Sequence, residues 1–373
     1  MQQFSIASSK NSNWSVAVEE CIDHLGDKVE NCNLGFIYST DAHCTELDNI
    51  TRNLKAKSGI KHWVGTTGLG ILCTGQEIYD RPALNIMVCQ FPENSFRIFS
   101  GIENDLQSYV GEHSSWLQNN FSNFLIVHAD PGNPKVQSLI PELSEASNSG
   151  FLVGGLTSSN SQHLQVADKI TSGGLSGVVF STDVAVTTGL SQGCSPIGPK
   201  HTITQAERNI IITIDSRPAL DVFKEDLHLL PDYNLNNLSG QVYVGLPVRG
   251  SDTGDYVVRD LVGVDPKNKI IAISELVQAD SQLMFCRRDQ QSASEDLIRM
   301  VKDVKERAGK ATPKGAVYYS CLARGRYTFG DNSEELKIIQ NELGDLPVVG
   351  FFANGEISHD RLYGYTGVLT LFI

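Results

Sequence analysis

A chain of 373 residues with 40% hydrophobic side chains is long enough to bury a large core divided among two or three domains. Its formal net charge is -13 and no lysine and arginine run marks a phosphate-backbone footprint, which argues against a nucleic-acid partner. The eight cysteines are scattered without CxxC spacing, the opening MQQFSIASSKNSNW lacks a signal-peptide pattern, and no apolar stretch reaches the roughly 20 residues that span a bilayer. Reduced thiols, no membrane association and a cytoplasmic location are therefore expected.

Trp14 to Val29 is amphipathic, with Glu19 and Glu20 on its wet side, and Leu34 to Ser39 (LGFIYS) predicts a short apolar strand. Leu47, Ile50 and Leu54 recur at three- and four-residue steps and lay one stripe down a helix. HWVGTTGLG then carries a strand into a glycine turn at Gly65 and out into another strand. The order returns with Leu106 to Phe121, Asn123 to His128, the stripe Val136, Leu139, Ile140, Leu143, and FLVGGLTSS around Gly154. It returns again with Leu297 to Ala308, Ala316 to Cys321, the stripe Leu336, Ile339, Leu343, and PVVGFFANGEI around Gly350. Each first strand precedes its glycine by about thirty residues, a spacing that suits a strand-helix-strand crossover.

Between the second and third copies, from about Asp183 to Arg287, short strand patterns dominate: Val184 to Leu190, Asn209 to Ile214, Gln241 to Leu246, Tyr256 to Val264, Lys269 to Ser274 and Gln282 to Cys286. One helix interrupts them, with Asp215 or Ser216 as its cap, Pro218 in its first turn and Leu220, Phe223 and Leu227 as its apolar face. This stretch reads as a fourth, degenerate unit carrying a β-rich insertion. The expected fold is α/β: repeated helix-strand-helix-strand-turn-strand units forming mixed sheets flanked by helices, with a β-rich middle segment. Tyr233 to Gly240 (YNLNNLSG) is the best linker, which divides the chain into 30–230 and 231–373.

In a parallel crossover both strand ends lie on one sheet edge, so Cys321, Arg324 and Arg326 after one strand can converge with Asn354, Gly355 and Glu356 after the next. Arginine offers a planar fork to a carboxylate and a buried glutamate partners an amine, so this set suits a zwitterion. The alternative is that Arg324 and Glu356 pair with each other at a turn. Thr66, Thr67, Thr157 and Ser158 offer hydroxyls either to a ligand or to the turn backbone. Of the adjacent Phe351 and Phe352, at most one should face a ligand. No nucleophile-base pair, metal-ligand spacing or phosphate loop of the GxxxxGK type is present, so an enzyme is not expected.

The closing stretch PVVGFFANGEISHDRLYGYTGVLTLF, the YYSCLARG of Tyr318 to Gly325 and the IDSRPALDVF of Ile214 to Phe223 resemble the FIST family, whose members pair an N-terminal with a C-terminal FIST domain. The resemblance implies a cytoplasmic sensory protein for small ligands, amino acids among those proposed, that signals through a separate partner. It also implies an alternative known in stand-alone bacterial members: a non-covalent haem that senses nitric oxide and regulates a histidine kinase. His359 and His62 are the candidate axial ligands, since the nine histidines form neither HExxH nor CxxCH. A third alternative is an enzyme using Cys321 with Arg324 and Glu356.

Overall fold

The computed structural model describes residues 3–119, 122–147, 151–228, 242–247 and 256–373; the expected linker at Tyr233 to Gly240 and the division near 230 lie outside them. In chain order the first repeat is β1 (Phe4–Ser9), α1 (Trp14–Leu25), β2 (Leu34–Thr40), α2 (Leu47–Ser58), β3 (His62–Gly68), a hairpin of β4 (Gly70–Cys73) and β5 (Gln76–Tyr79), and β6 (Leu84–Cys89). The second is β7 (Phe96–Ile102), α3 (Gln107–Asn119), β8 (Ser122–Ala129), α4 (Val136–Ala146), β9 (Phe151–Leu156), the hairpin β10 (Gln165–Ala167) and β11 (Lys169–Thr171), and β12 (Leu175–Ser181).

The third repeat opens with β13 (Val186–Ser191) and is then interrupted. The interruption holds β14 (Ser195–Pro196), β15 (His201–Glu207), β16 (Ile210–Ile214), β17 (Arg217–Pro218), α5 (Ala219–Leu227), β18 (Val242–Pro247), β19 (Tyr256–Asp265), β20 (Ile270–Ile273) and β21 (Gln282–Arg287). The repeat resumes with α6 (Gln290–Ala308), β22 (Gly315–Cys321), α7 (Glu334–Leu343), β23 (Val348–Ala353), the hairpin β24 (Glu356–His359) and β25 (Arg361–Tyr363), and β26 (Gly367–Phe372). The middle segment is thus an insertion inside the third repeat and not a fourth unit. It forms its own compact body, Gln192–Asp296, while Met1–Ser191 and Leu297–Ile373 make the other.

The larger body contains three mixed sheets of one design, ordered β1-β6-β2-β3-β10-β11, β7-β12-β8-β9-β24-β25 and β13-β26-β22-β23-β4-β5. Each repeat supplies a parallel pair, a return strand and a lead strand to its own sheet, but its hairpin completes the sheet of another repeat. The exchange is cyclic: hairpin one joins sheet three, hairpin two joins sheet one, and hairpin three joins sheet two. The sequence pattern predicts each closing strand correctly as a strand and gives no hint that it leaves its sheet, because pairing partner is a non-local choice.

Glycine is required at the heart of every repeat. Gly65 faces Ile37, Gly154 faces Val127 and Gly350 faces Tyr318 across the parallel pairs. A Cβ at any of them would run into the carbonyl oxygen of that facing residue. The three phrases therefore occupy equivalent geometry, as their spacing predicts, but the expected glycine turns are corrected. Gly65, Gly154 and Gly350 lie inside β3, β9 and β23, where close approach of the parallel neighbour requires glycine, and the chain turns only after those strands end.

Alternation sorts the strand side chains. Leu34, Phe36 and Tyr38 of β2 join a shared interior with Phe124 and Ile126 of β8 and Val317 and Tyr319 of β22, whereas Ile37 turns out to the Ala17, Val18 and Cys21 face of α1 and the Leu47, Ile50 and Leu54 stripe of α2. Each such buried aliphatic side chain contributes roughly 1.5–3 kcal/mol, which holds helices too short to be stable alone. At one end the interior is aromatic, with Phe124 stacked on Phe180 at 4.7 Å. Further along, the equivalent residues Tyr38, His128 and Tyr319 meet: Tyr38 Oη lies 3.2 Å from His128 Nε2 and 2.9 Å from Tyr319 Oη. Burial pushes the His128 imidazole down to about 3, so it is neutral there.

The smaller body is a barrel: β21, β15, β16, β20, β19 and β18 pair in turn, and β18 returns to β21. Its core combines Ile203, Ile211, Val244, Ile271 and Phe285 with Leu220, Phe223 and Leu227 of α5. The expected cap on α5 is corrected. Asp215 and Ser216 both take left-handed backbone conformations in the turn between β16 and β17, Asp215 is bound to His201, and Pro218 holds the N-cap position.

Candidate functional site

Parallel pairing sets Cys321, the last residue of β22, opposite Ala353, the last residue of β23. From this edge Arg324 turns inward and is fully buried. Its partner is Glu335 in the first turn of α7, with Nε donating to Oε1 at 2.8 Å; Nη2 reaches Ser191 Oγ at 3.2 Å and Tyr318 Oη at 3.4 Å, and Nη1 reaches the Tyr365 carbonyl at 3.4 Å. Glu335 also accepts from Tyr318 Oη at 2.7 Å, Ser320 Oγ at 3.0 Å and the Gly325 N–H at 2.8 Å. The arginine fork is thus engaged within the fold, and with Glu335 instead of Glu356. A buried pair needs this density of hydrogen bonds to offset desolvation.

Glu356, the first residue of β24, is equally buried. Its Oε2 accepts from the Thr366 N–H at 3.0 Å and from Thr366 Oγ1 at 2.7 Å, while Oε1 has no protein hydrogen-bond partner. Burial pushes this carboxyl up to about 8, against the opposing influence of Thr366, the Arg324 charge and the Cys321 thiol. The Cys321 thiol is thus a neighbour of this carboxyl. Cys321 as a residue is half-buried. Tyr365, between these residues and the return strand, has φ of 66°, a conformation that costs about 1–3 kcal/mol in a residue with a side chain.

The other two repeats show what this place ordinarily does. Thr40, Asp130 and Cys321 are equivalent, and their N–H groups donate to the carbonyls of Ala83, Gly174 and Thr366, each at 3.0 Å. In the first two repeats the side chain secures the incoming return strand as well: Thr40 Oγ1 accepts the Ala83 N–H and Asp130 Oδ2 accepts the Gly173 N–H, both at 2.8 Å. In the third, Glu356 takes over that task at Thr366. The seat of Glu356 corresponds to Gln165 opposite Thr66 and to Ile71 opposite Phe351. Gln165 uses both amide atoms, on the Gly174 carbonyl at 3.1 Å and on Ser176 Oγ at 2.6 Å. The third repeat alone thus sets a half-engaged carboxyl beside a thiol.

Against known families, the FIST N domain matches residues 33–217 and the FIST C domain matches residues 219–359. The chain belongs to the FIST family. FIST domains are generally regarded as small-ligand sensory domains of signal transduction. Two uncharacterized proteins of Mycobacterium tuberculosis, from strains CDC 1551 / Oshkosh and ATCC 25618 / H37Rv, are each 31% identical over 366 residues, covering 91% of this chain and 91% of their own length. An uncharacterized protein of Mycobacterium bovis is 34% identical over 193 residues, 49% of this chain and 50% of its own. The two FIST domains meet between Arg217 and Ala219, inside the barrel, so the family division and the compact bodies follow different lines.

The remaining expected residues of the FIST chain are dispersed. Arg326 pairs with Asp80 and lies over the rings of Tyr79 and Tyr327 at 4.6 and 5.1 Å, away from Glu356. Asn354 is exposed, with its N–H on the Leu156 carbonyl at 3.0 Å, and Gly355 is buried with φ of 130°. Thr66 and Thr157 are buried and bond to each other at 2.8 Å, and Thr66 also donates to the Leu164 carbonyl at 2.9 Å. Thr67 is buried near that same carbonyl, at 3.5 Å, and Ser158 Oγ donates to the Phe352 carbonyl at 2.5 Å. Phe351 stacks on Tyr38 at 5.6 Å and Phe352 packs on Tyr79 at 4.8 Å, both buried.

The two candidate axial histidines, His62 and His359, both keep solvent exposure. His62 Nδ1 is bound to Asp168 at 2.8 Å on a side chain 43% exposed, and His359 is exposed on the β24–β25 hairpin with its ring 4.0 Å from Phe151. Among the described residues no three His, Cys, Asp or Glu side chains group as metal ligands, and no helix is long and apolar enough to cross a membrane. Sequence reasoning missed Glu335, Thr366 and Ser191. Glu335 precedes Ile339 by four residues and so lies on the apolar stripe of α7, a signal that could have flagged it as buried.

Proposed function

We propose that this protein is a small-ligand-binding sensory protein whose ligand seat lies at the C-terminal strand ends of the third repeat, around Glu356 and Cys321, and whose output passes through a separate partner. The observation that carries the reading is Glu356: a fully buried carboxyl with one oxygen matched by Thr366 and the other unmatched. Native proteins rarely leave such an atom without a partner, and a ligand N–H would complete it. Arg324 acts by position. Held by Glu335, it lends its charge to Glu356 and leaves that carboxyl to meet an amine, so an amino acid or another small amine suits the seat. We read the site as binding and not catalytic, because the arginine that would steady a substrate is consumed by the fold.

Native mass spectrometry of protein purified without added ligand, with an absorption spectrum of the same sample, tests this. A small added mass that disappears in folded Glu356→Gln is the expected result. An added mass unaffected by that variant would move the seat elsewhere. A Soret band would favour the haem reading, with nitric oxide as input and a histidine kinase as partner.

A further inference from the structure

Independently of the ligand seat, we propose that the exchanged hairpin of β4 and β5 is a pH-dependent clasp between the first and third repeats, with Glu77 as its proton-sensing group. The hairpin leaves β3 through Gly68, Leu69 and Gly70 and returns through Asp80, whose φ is 55°. Between these joints Ile71, Leu72 and Cys73 pair with Phe351, Gly350 and Val349 of β23. The outer strand β5 meets the first turn of α7 in a reciprocal cap. Ser333, the N-cap residue of α7, makes no side-chain cap on its own helix, and its Oγ accepts the Glu77 N–H at 2.8 Å. Glu77 takes over the capping, its Oε1 accepting the Leu336 N–H at 3.4 Å. A capping box is ordinarily closed within one segment, and here its two halves stand 256 positions apart.

The capping acid is set beside a second acid. Glu335, in the same first turn of α7, is fully buried and engages Arg324 at 2.8 Å, and among the described residues no salt bridge reaches Glu77. The other charges nearby are engaged elsewhere: Arg326 with Asp80, Glu334 with Lys337, and Lys10 with Gln76 Oε1 at 3.0 Å. Tyr79 Oη donates to Glu77 Oε2 at 2.9 Å, and burial drives this phenol far up, so it stays a donor. Burial and the Glu335 charge outweigh these hydrogen bonds and raise the half-buried Glu77 carboxyl to about 7. Hairpin two gives the contrast: its acid, Asp168, accepts the Trp63 N–H at 3.0 Å with Lys55 Nζ at 3.7 Å. A carboxyl raised by docking favours the docked hairpin fully below 4.5, and this preference is lost as pH climbs towards 7. Ionised Glu77 then repels Glu335, the clasp loosens, and β23 loses its outer neighbour just ahead of Glu356.

The test is hydrogen exchange of the full chain, read as protection factors of the β4 and β5 amides from pH 5 to pH 8. Protection should fall by about tenfold per pH unit between pH 5 and pH 7 and level off above about 7. Glu77→Gln, neutral throughout, should hold its protection nearly constant over that range. Tyr79→Phe removes a hydrogen bond that favours the charged carboxylate, so its levelling-off should move to higher pH. Looser packing alone would lower protection equally at every pH. In the unaltered protein, β4 and β5 protection that does not fall between pH 5 and pH 7 would overturn the proposal without any variant. An equally steep fall in folded Glu77→Gln would also overturn it, since another group would then carry the response, and so would an unmoved levelling-off in folded Tyr79→Phe.

Discussion

Glu356 stands opposite Gly155 in the seat that Gln165 fills opposite Thr66, yet Gln165 engages both of its polar atoms and Glu356 engages one. Two chemically similar side chains thus play different parts in equivalent places, one structural and one with capacity to spare.

The raised Glu356 carboxyl has a consequence for stability. A carboxyl raised from 4.5 to about 8 by burial takes up a proton on folding, so its stabilising contribution is complete below 4.5 and is lost as pH rises towards 8. Glu77, raised to about 7 by burial and by the Glu335 charge, acts with the same sign. Denaturant unfolding between pH 5 and pH 8 should show stability falling by up to ~1.4 kcal/mol per pH unit for each group. Glu356→Gln should flatten that slope; an unchanged slope in the variant would disprove the shift.

Gly65→Ala, Gly154→Ala and Gly350→Ala should each destabilise severely, by about 3 kcal/mol or more, because the added methyl meets a carbonyl oxygen on a central strand. Gly111→Ala is the control. It lies on the exposed side of α3 with nothing near its Cβ, and should stabilise by roughly 0.5–1 kcal/mol. Thermal unfolding of the four variants distinguishes them.

Local patterns explain what could be read in advance. Stripes such as Leu47, Ile50 and Leu54, and glycines at Gly65, Gly154 and Gly350, follow from the periods of helix and strand and from backbone approach, all local properties. The hairpin exchange was not legible, because β24 carries the same alternation whether it pairs with β23 or with β9. The break after Ser191 was hidden similarly: β13 looks like any short strand, and its partner β26 lies at the far end of the chain. At the site, Cys321 and Glu356 were named from the strand-end rule and do converge. Arg326 left the group because its neighbour in space, Asp80, comes from the first repeat.

Arg324 and Glu335 form a buried pair, so Arg324→Ala should act first on folding and only then on any ligand. Removing the guanidinium leaves Glu335 with Tyr318, Ser320 and the Gly325 N–H but no cation, an expected loss of about 3–5 kcal/mol. Arg324→Met combined with Glu335→Gln should recover part of that loss, since neither charge then remains buried. Urea titrations of the single and double variants check this, and a fully stable Arg324→Ala protein would show the pair to be dispensable.

In the barrel, His201 bridges two aspartates, with Nδ1 at 2.6 Å from Asp215 and Nε2 at 2.9 Å from Asp226. Burial opposes the charged imidazole, but the hydrogen bonds to Asp215 and Asp226 outweigh it and raise the group above 6.5. Its stabilisation is therefore complete below pH 6.5 and is lost as pH climbs through the raised value. An NMR titration of His201 should give a midpoint above 6.5, and a midpoint at or below it would refute the double bridge.

The emptiest of the three equivalent seats predicts a gain. Ile71 stands where Gln165 and Glu356 stand in the other sheets, and Asn85, equivalent to Ser176, is buried beside Tyr38 with neither amide atom matched by protein. The third repeat has Val368 at that place, opposite Tyr319. Asn85→Val keeps the volume close to native and removes a desolvated amide, so it should leave stability unchanged or raise it by about 1–3 kcal/mol. Ser176→Val should do the reverse, since it strips Gln165 Oε1 of the hydroxyl it accepts and so costs about 1–3 kcal/mol. Opposite signs for these two substitutions at equivalent positions, read from denaturant midpoints, are the expected outcome, and a comparable loss for both would show that Asn85 is as well satisfied as Ser176.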